Sequence, residues 1–192
     1  MRRLVYVARH GETDWNAVNR WQGHTDIPLN DRGRAQARAL AQRLRDVRLA
    51  GVVASDLSRA EETARIVAAS LGIPLAYVDG GLRERSFGVF EGLTREECET
   101  QHGEAWRAWL EDKTMPQGGE ALEALTQRVV AAVGRSALAV ATDDAPVLVV
   151  THGGSLRSLV ASVTGELPPM VKNGDVWVLA WEGRLVEAAP LP

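Results

Sequence analysis

Apolar residues fall along this chain in two alternating textures. Residues 4–8, 51–55 and 75–78 are short, mostly apolar runs rich in β-branched side chains, and a longer one opens "PVLVVTHGG", residues 146–154. Runs of this length and composition are the pattern of buried strands. Between them, apolar positions recur at intervals of three and four. Ala37, Leu40, Leu44 and Val47 form one such stripe, and Ala60, Ala64, Val67 and Leu71 a second. Leu122, Leu125, Val129, Ala132 and Val133 form a third, and Leu156, Leu159, Val160 and Val163 a fourth. Each stripe predicts a helix with one buried face.

Local signals mark the ends. Asn30 or Asp31 is suited to capping the first helix. Ser58 and Glu61 have capping-box spacing at the start of the second, which Gly72 and Pro74 then stop. The third helix is expected over residues 119 to about 141. Residues 11–30 read as a loop, and residues 80–118 as irregular with partial helix in "REECETQHGEAWRAWLED". The segment "DVWVLAWEGRLVEAA" reads as a hairpin turning near Glu182-Gly183.

Strands alternating with helices predict an α/β domain: a three-layer α/β/α sandwich with a mostly parallel central sheet. No repeat, low-complexity tract or linker divides residues 1–192, so one domain is expected. Residues of about 80–120 stand out as a lid or specificity segment, because long irregular stretches in compact domains commonly serve a site.

Composition narrows the function classes. The 192 residues are 45% hydrophobic and 24% charged, with a net charge of −3. Without a basic surplus, neither nucleic acid nor an anionic membrane is an expected partner. Cys98 is the only cysteine, so no intrachain disulfide forms, which suits a reducing compartment. The apolar run behind Arg2 and Arg3 stops at Arg9, too early for a signal peptide, and no run approaches a membrane span. A cytoplasmic location is the expectation.

Buried strands end in unusual residues. The first runs into Arg9-His10-Gly11, the second into "SDLSR" with Arg59 in a helical first turn, and the strand near residue 150 into Thr151-His152-Gly153-Gly154. In open α/β sheets, ligands bind beyond the carboxyl ends of the strands. If these strands are parallel neighbours, Arg9, His10, Arg59 and His152 converge. Two guanidiniums make a fork for an oxyanion, with phosphate the best match, and helix N-termini after Gly153 and near Arg59 add amide donors. A neutral imidazole can attack phosphorus, and nearby cations keep it unprotonated. Gly11 lets the backbone come close. The leaving oxygen needs a proton, for which Glu84 is the first candidate, with Glu12 and Glu91 behind it.

Together "ARHGETDWN", "WQGHTDIPLN", "SDLSRAEETA", "LRERSFGVFEG" and "VTHGG" resemble the histidine phosphatase superfamily, with its phosphoglycerate mutase-like fold. The resemblance spans nearly the whole chain, in order. It implies His10 as the phosphorylated nucleophile, with Arg9, Arg59 and His152 holding phosphoryl oxygens. Glu84 would be proton donor and then base. Asn16, Gln22, Thr13 and the amide of Gly153 would line the phosphate pocket. It implies no metal and no organic cofactor, and a small phosphorylated metabolite as substrate. "LRERSFGVFEG" and the chain's length resemble the short phosphatase branch more than the mutases. Phe90, where many relatives carry Trp, touches pocket shape.

Other readings stand beside this one. A cofactor-dependent phosphoglycerate mutase is the alternative, and a non-catalytic module binding phospho-ligands is the second. The scattered histidines lack paired metal-ligand spacing, and no Walker A motif is present. His102 repeats the His-Gly-Glu of the first site without a strand before it and reads as a surface residue. His24 reads as a loop residue bordering the pocket, and Cys98 as an incidental thiol. Trp106 and Trp109 either pack the irregular segment or wall the pocket. Arg83, Arg85 and Arg107 are either solvated or contacts to an acidic substrate. Trp177 and Trp181 in the hairpin pack either a core or a partner, so a homodimer is open.

Overall fold

A computed structural model describes residues 1–191. The strands are β1 (Arg3–Arg9), β2 (Gly51–Ala54), β3 (Leu75–Val78), β4 (Val147–Thr151), β5 (Val176–Trp181) and β6 (Leu185–Pro190). They form one sheet in the order β3-β2-β4-β1-β5-β6. β3, β2, β4 and β1 run parallel, whereas β5 and β6 are antiparallel.

Helices cover both faces, as the alternation of side chains requires. On one face, Val5, Val7, Val53, Val147 and Val149 meet α6 (Leu122–Ala139) and α7 (Gly153–Thr164) through Leu125, Val129, Val133, Leu156 and Leu159. On the other, Ala8, Val52, Ala54, Leu148 and Val150 meet α2 (Asp31–Leu44) and α3 (Ser58–Leu71) through Leu40, Leu44, Ala60, Ala64 and Val67. Every residue of β4 is buried, so its apolar run is continuous rather than alternating. The three expected layers are therefore present.

The segment of residues 80–121 holds short 3-10 turns, α4 (Arg95–Gln101) and α5 (Gly103–Asp112). It has its own small core of Phe90, Cys98 and Trp106, with Trp21, Phe87 and Trp109 against it. Among the described residues, no helix is long and apolar enough to cross a membrane.

Four local expectations are corrected. Residues 11–30 contain α1 (Asp14–Ala17), closed by a capping box between Thr13 and Asn16. The helix expected from residue 119 starts at Leu122, because Gly119 bridges to Phe87 and the Glu120 amide donates to Ser86 O. Leu122, placed on that helix's buried stripe, is 40% exposed. No capping box forms at Ser58: its amide and hydroxyl both donate to Asp26 Oδ1, at 2.8 and 2.7 Å, and Leu57 occupies the cap position.

Candidate active site

The sheet order assembles the site. β4 returns from the far face and inserts between β2 and β1, so three carboxyl ends lie side by side. Arg9 stands opposite Thr151, and Ala54 opposite Val150. His10, His152 and Ser55 follow at one level.

The loop after β1 is pressed onto α2. A Cβ at Gly11 would lie 2.4 Å from Gly33 O, and one at Gly33 would lie 2.1 Å from Glu12 O. The close approach that Gly11 permits is therefore between two backbones. Thr63 fastens the same loop to α3, accepting from the Gly11 amide at 3.0 Å and donating to Arg59 O at 2.7 Å.

His10 is 3% exposed, and its Nδ1 lies 2.6 Å from Gly11 O. A carbonyl oxygen only accepts, so Nδ1 carries the proton and Nε2 the lone pair. Burial first, then the Arg59 and Arg9 charges, hold the ring's pKa well below its usual 6.5. His152 is fully buried, with ring centroids 5.1 Å apart between the two histidines. Its Nε2 lies 2.9 Å from Ser55 Oγ, and Arg59 Nε donates toward Nδ1 at 3.3 Å. Burial first, then Arg59, pushes this ring down in the same way.

Arg59 is wholly buried, and its Nη1 and Nη2 donate to Thr25 O at 2.9 Å and Gly23 O at 2.8 Å. Desolvation lowers its pKa to about 10, so it stays charged at neutral pH. Arg9 Nη1 donates to Val171 O at 2.6 Å, while its Nε is buried without a partner. A Cβ at Gly153 would stand 3.3 Å from that Nε, so the glycine gives Arg9 room beside the start of α7.

Glu84 sits over the same helix N-terminus. Gly154 N donates to Oε2 at 2.9 Å, and Ser155 N and Arg85 N donate to Oε1 at 3.0 and 2.9 Å. A Cβ at Gly154 would fall 2.5 Å from Oε1. The Glu84 carbonyl is held by Arg128 Nη2 and by His24 Nε2, both at 2.8 Å.

Asn16 Oδ1 accepts from Thr13 N at 3.1 Å and Thr13 Oγ1 at 3.2 Å. Thr13 is fully buried, and its hydroxyl caps α1, so it serves this cluster through Asn16. Gln22 is 8% exposed with its Oε1 buried and unpartnered, next to the Gly23 that receives Arg59.

The reserve acids are committed elsewhere. Glu12 accepts from Asn30 Nδ2 at 3.1 Å and pairs with Arg32 at 3.3 Å. Glu91 accepts from the amides of His24, Thr25 and Phe87 and from the hydroxyls of Thr25 and Ser86. His102 joins α4 to α5 beside Phe90. Trp106 packs the small core at 7% exposure, and Arg85 lies over the Trp109 ring at 5.2 Å. Arg83 pairs with Asp56 at 2.6 Å, and Arg107 is exposed.

Ser55, Thr63 and Asn173 belong to the cluster and were not singled out from the sequence. Thr63 stands one helical turn beyond Arg59, a spacing that signals a shared face. Ser55 closes the second apolar run, as His152 follows the fourth. Asn173 lies in a stretch with no period.

Two cations, two neutral imidazoles and a carboxylate on a helix N-terminus make a receptor for an oxyanion beside a nucleophilic nitrogen. The sequence profile of the histidine phosphatase superfamily (branch 1) matches residues 5–184. Phosphoglycerate mutase-like protein 4 of Arabidopsis thaliana is 42% identical over 159 residues, covering 81% of this chain and 68% of that protein. The structure of YhfR of Bacillus stearothermophilus superposes with a TM-score of 0.86 at 34% identity, over 97% of this chain and 95% of the other. A mycobacterial glucosyl-3-phosphoglycerate phosphatase, solved with VO3, gives a TM-score of 0.80 at 29% identity, over 98% and 97%.

Proposed function

The chain belongs to the histidine phosphatase superfamily, and on that premise we propose that it hydrolyses phosphomonoesters through a phosphohistidine at His10, without a metal. The observation that carries this reading is the bond from His10 Nδ1 to Gly11 O, which leaves Nε2 as the free, unprotonated nitrogen.

In the first step the Nε2 lone pair attacks phosphorus, and the bond from phosphorus to the leaving oxygen breaks. Glu84 gives that oxygen its proton. Oε2 is the oxygen for this task, because it receives one amide, whereas Oε1 receives two. In the second step Glu84 takes a proton from water, the water oxygen attacks phosphorus, and the bond to Nε2 breaks. Inorganic phosphate leaves and His10 is neutral again. Arg9 and Arg59 hold the non-bridging oxygens, His152 keeps the Arg59 guanidinium in place by accepting from its Nε, and Asn16, Gln22 and the Gly153 amide stand at the rim. Residues 80–120 shape the part of the pocket that receives the rest of a small phosphorylated metabolite.

The test is phosphate release in EDTA from a panel of phosphomonoesters and phosphoglycerates, with His10→Ala in parallel. EDTA-resistant release that disappears in the variant is expected. A folded His10→Ala protein with near-normal turnover overturns the mechanism. A second reading is favoured by the Arabidopsis relative's name, which is phosphoglycerate mutase-like. Phosphoryl exchange between phosphoglycerates that outruns phosphate release would establish it. Phosphate binding without either reaction would leave a phospho-ligand module.

A further inference from the structure

The connection between α7 and β5 is tied to the end of β1. The Arg9 amide donates to Asp175 O at 3.0 Å, and the Gly174 amide donates to Arg9 O at 3.1 Å. Within this connection, Asn173 Nδ2 donates to the carbonyl of His10 at 2.9 Å and stands 3.4 Å from Asn16 Oδ1.

These contacts fix two amides in sequence. The His10 carbonyl only accepts, so the NH2 end of Asn173 must face it. That NH2 and the Thr13 amide are both donors, so the end of Asn16 facing them must be its oxygen. Turning the Asn16 amide over would set donors against donors. The NH2 of Asn16 therefore points away from Thr13 and Asn173, and it has no partner among the described residues.

We propose that Asn173 is a positioning residue that orients Asn16, so that the Asn16 NH2 donates to a phosphoryl oxygen of the substrate. This rests on the phosphatase reading, in which Asn16 borders the phosphate. It adds a residue from a different part of the chain and assigns it a job performed through another side chain. The bond to His10 O makes the same residue sense the nucleophile's backbone, so nucleophile and donor keep one spacing.

The test is a cycle of Asn16→Ala, Asn173→Ala and the double variant. Hydrolysis of p-nitrophenyl phosphate and binding of inorganic phosphate are read for each, with the melting temperature as control. Asn173→Ala is expected to lower kcat/KM and phosphate affinity by about tenfold. In the Asn16→Ala background the same change should matter by less than about twofold, because the group it orients is gone. Asn173→Asp fills the same space but cannot donate, and it should be impaired at least as much as Asn173→Ala. Equal losses in both Asn16 backgrounds, or an Asn173→Asp protein close to wild type, overturn the proposal in favour of simple packing. The binding arm separates the two readings. Should wild type bind phosphate without hydrolysing any ester, the cycle in affinity still decides the role of Asn173 while the hydrolytic reading falls. Should it do neither, both fall.

Discussion

Replacing His10 by Gln should remove about half of a particular acid sensitivity. His10 and His152 are both buried, and burial with the Arg59 charge holds both well below 6.5 in the folded protein. In the unfolded chain each returns to about 6.5. Between 6.5 and the depressed folded values, the unfolded state therefore binds more protons than the native state. Stability is fully present above 6.5 and is lost as pH falls through this window. Each histidine contributes a loss approaching about 1.4 kcal/mol per pH unit. From about pH 7.5 to about pH 5.5 the pair accounts for roughly 2.7 kcal/mol. Glu91, where burial raises the carboxyl but its hydrogen bonds together lower it further, and Glu97, held low by the Thr94 amide and Arg20, titrate further into acid and stay outside this range. The assay is urea unfolding at stepped pH for wild type, His10→Gln and His152→Gln. Phosphate buffers must be avoided, because a bound anion favours the protonated imidazoles. Each variant should lose about 1.4 kcal/mol of the pH-dependent span. A His10→Gln protein that keeps the whole span would show that His10 titrates alike in both states, and the case for a neutral nucleophile would fail.

Gly154→Ala should cut kcat roughly 10²-fold while the protein still folds, since the new methyl displaces the Glu84 carboxylate; steady-state kinetics beside far-UV circular dichroism checks this. Gly11→Ala should destabilise by about 2–3 kcal/mol in urea unfolding, because the clash is with the Gly33 carbonyl and no rotamer relieves it. Glu91→Ala strands the amides of His24, Thr25 and Phe87 and loosens the carbonyls that hold Arg59, so it should cost about 3 kcal/mol and raise KM for an aryl phosphate. An unchanged KM would mean that the loop holds Arg59 without Glu91.

What could be read from the sequence was what local pattern encodes. The strands and the long helices were legible because each buries one face or, for β4, both. Arg9, His10, Arg59 and His152 were legible because charged and titratable residues at the ends of apolar runs contradict their surroundings. What escaped depended on partners distant in the chain. Asp26 captured Ser58 and cancelled a capping box that its own neighbourhood encodes. Pairing with residues 86–87 delayed the start of α6. Asn173 acquires its contacts only because β5 lies against β1 and brings the preceding loop to His10. Strand order has no local signature, so the convergence of the three strand ends was conditional on the sequence alone and follows from the order β2-β4-β1.

The burial of Arg59 explains why a guanidinium, and not an ammonium, stands there. Its immediate partners are Nδ1 of a neutral histidine and two neutral carbonyls, and the nearest carboxylates, Glu84 first, act on it only at a distance. Desolvation lowers it to about 10, which leaves it fully charged at neutral pH. A lysine starts lower, so the same desolvation would bring it nearer to neutral pH and leave more of the population uncharged. A partly neutral cation would both weaken the oxyanion site and relax the field that keeps His10 unprotonated. Arg9 adds a second cation whose Nε is buried without a hydrogen-bond partner, and Glu84 acts on both guanidiniums. On the proposed phosphatase reading, a phosphoryl group would meet both guanidiniums, and the charges that draw it in would also keep the attacking nitrogen unprotonated.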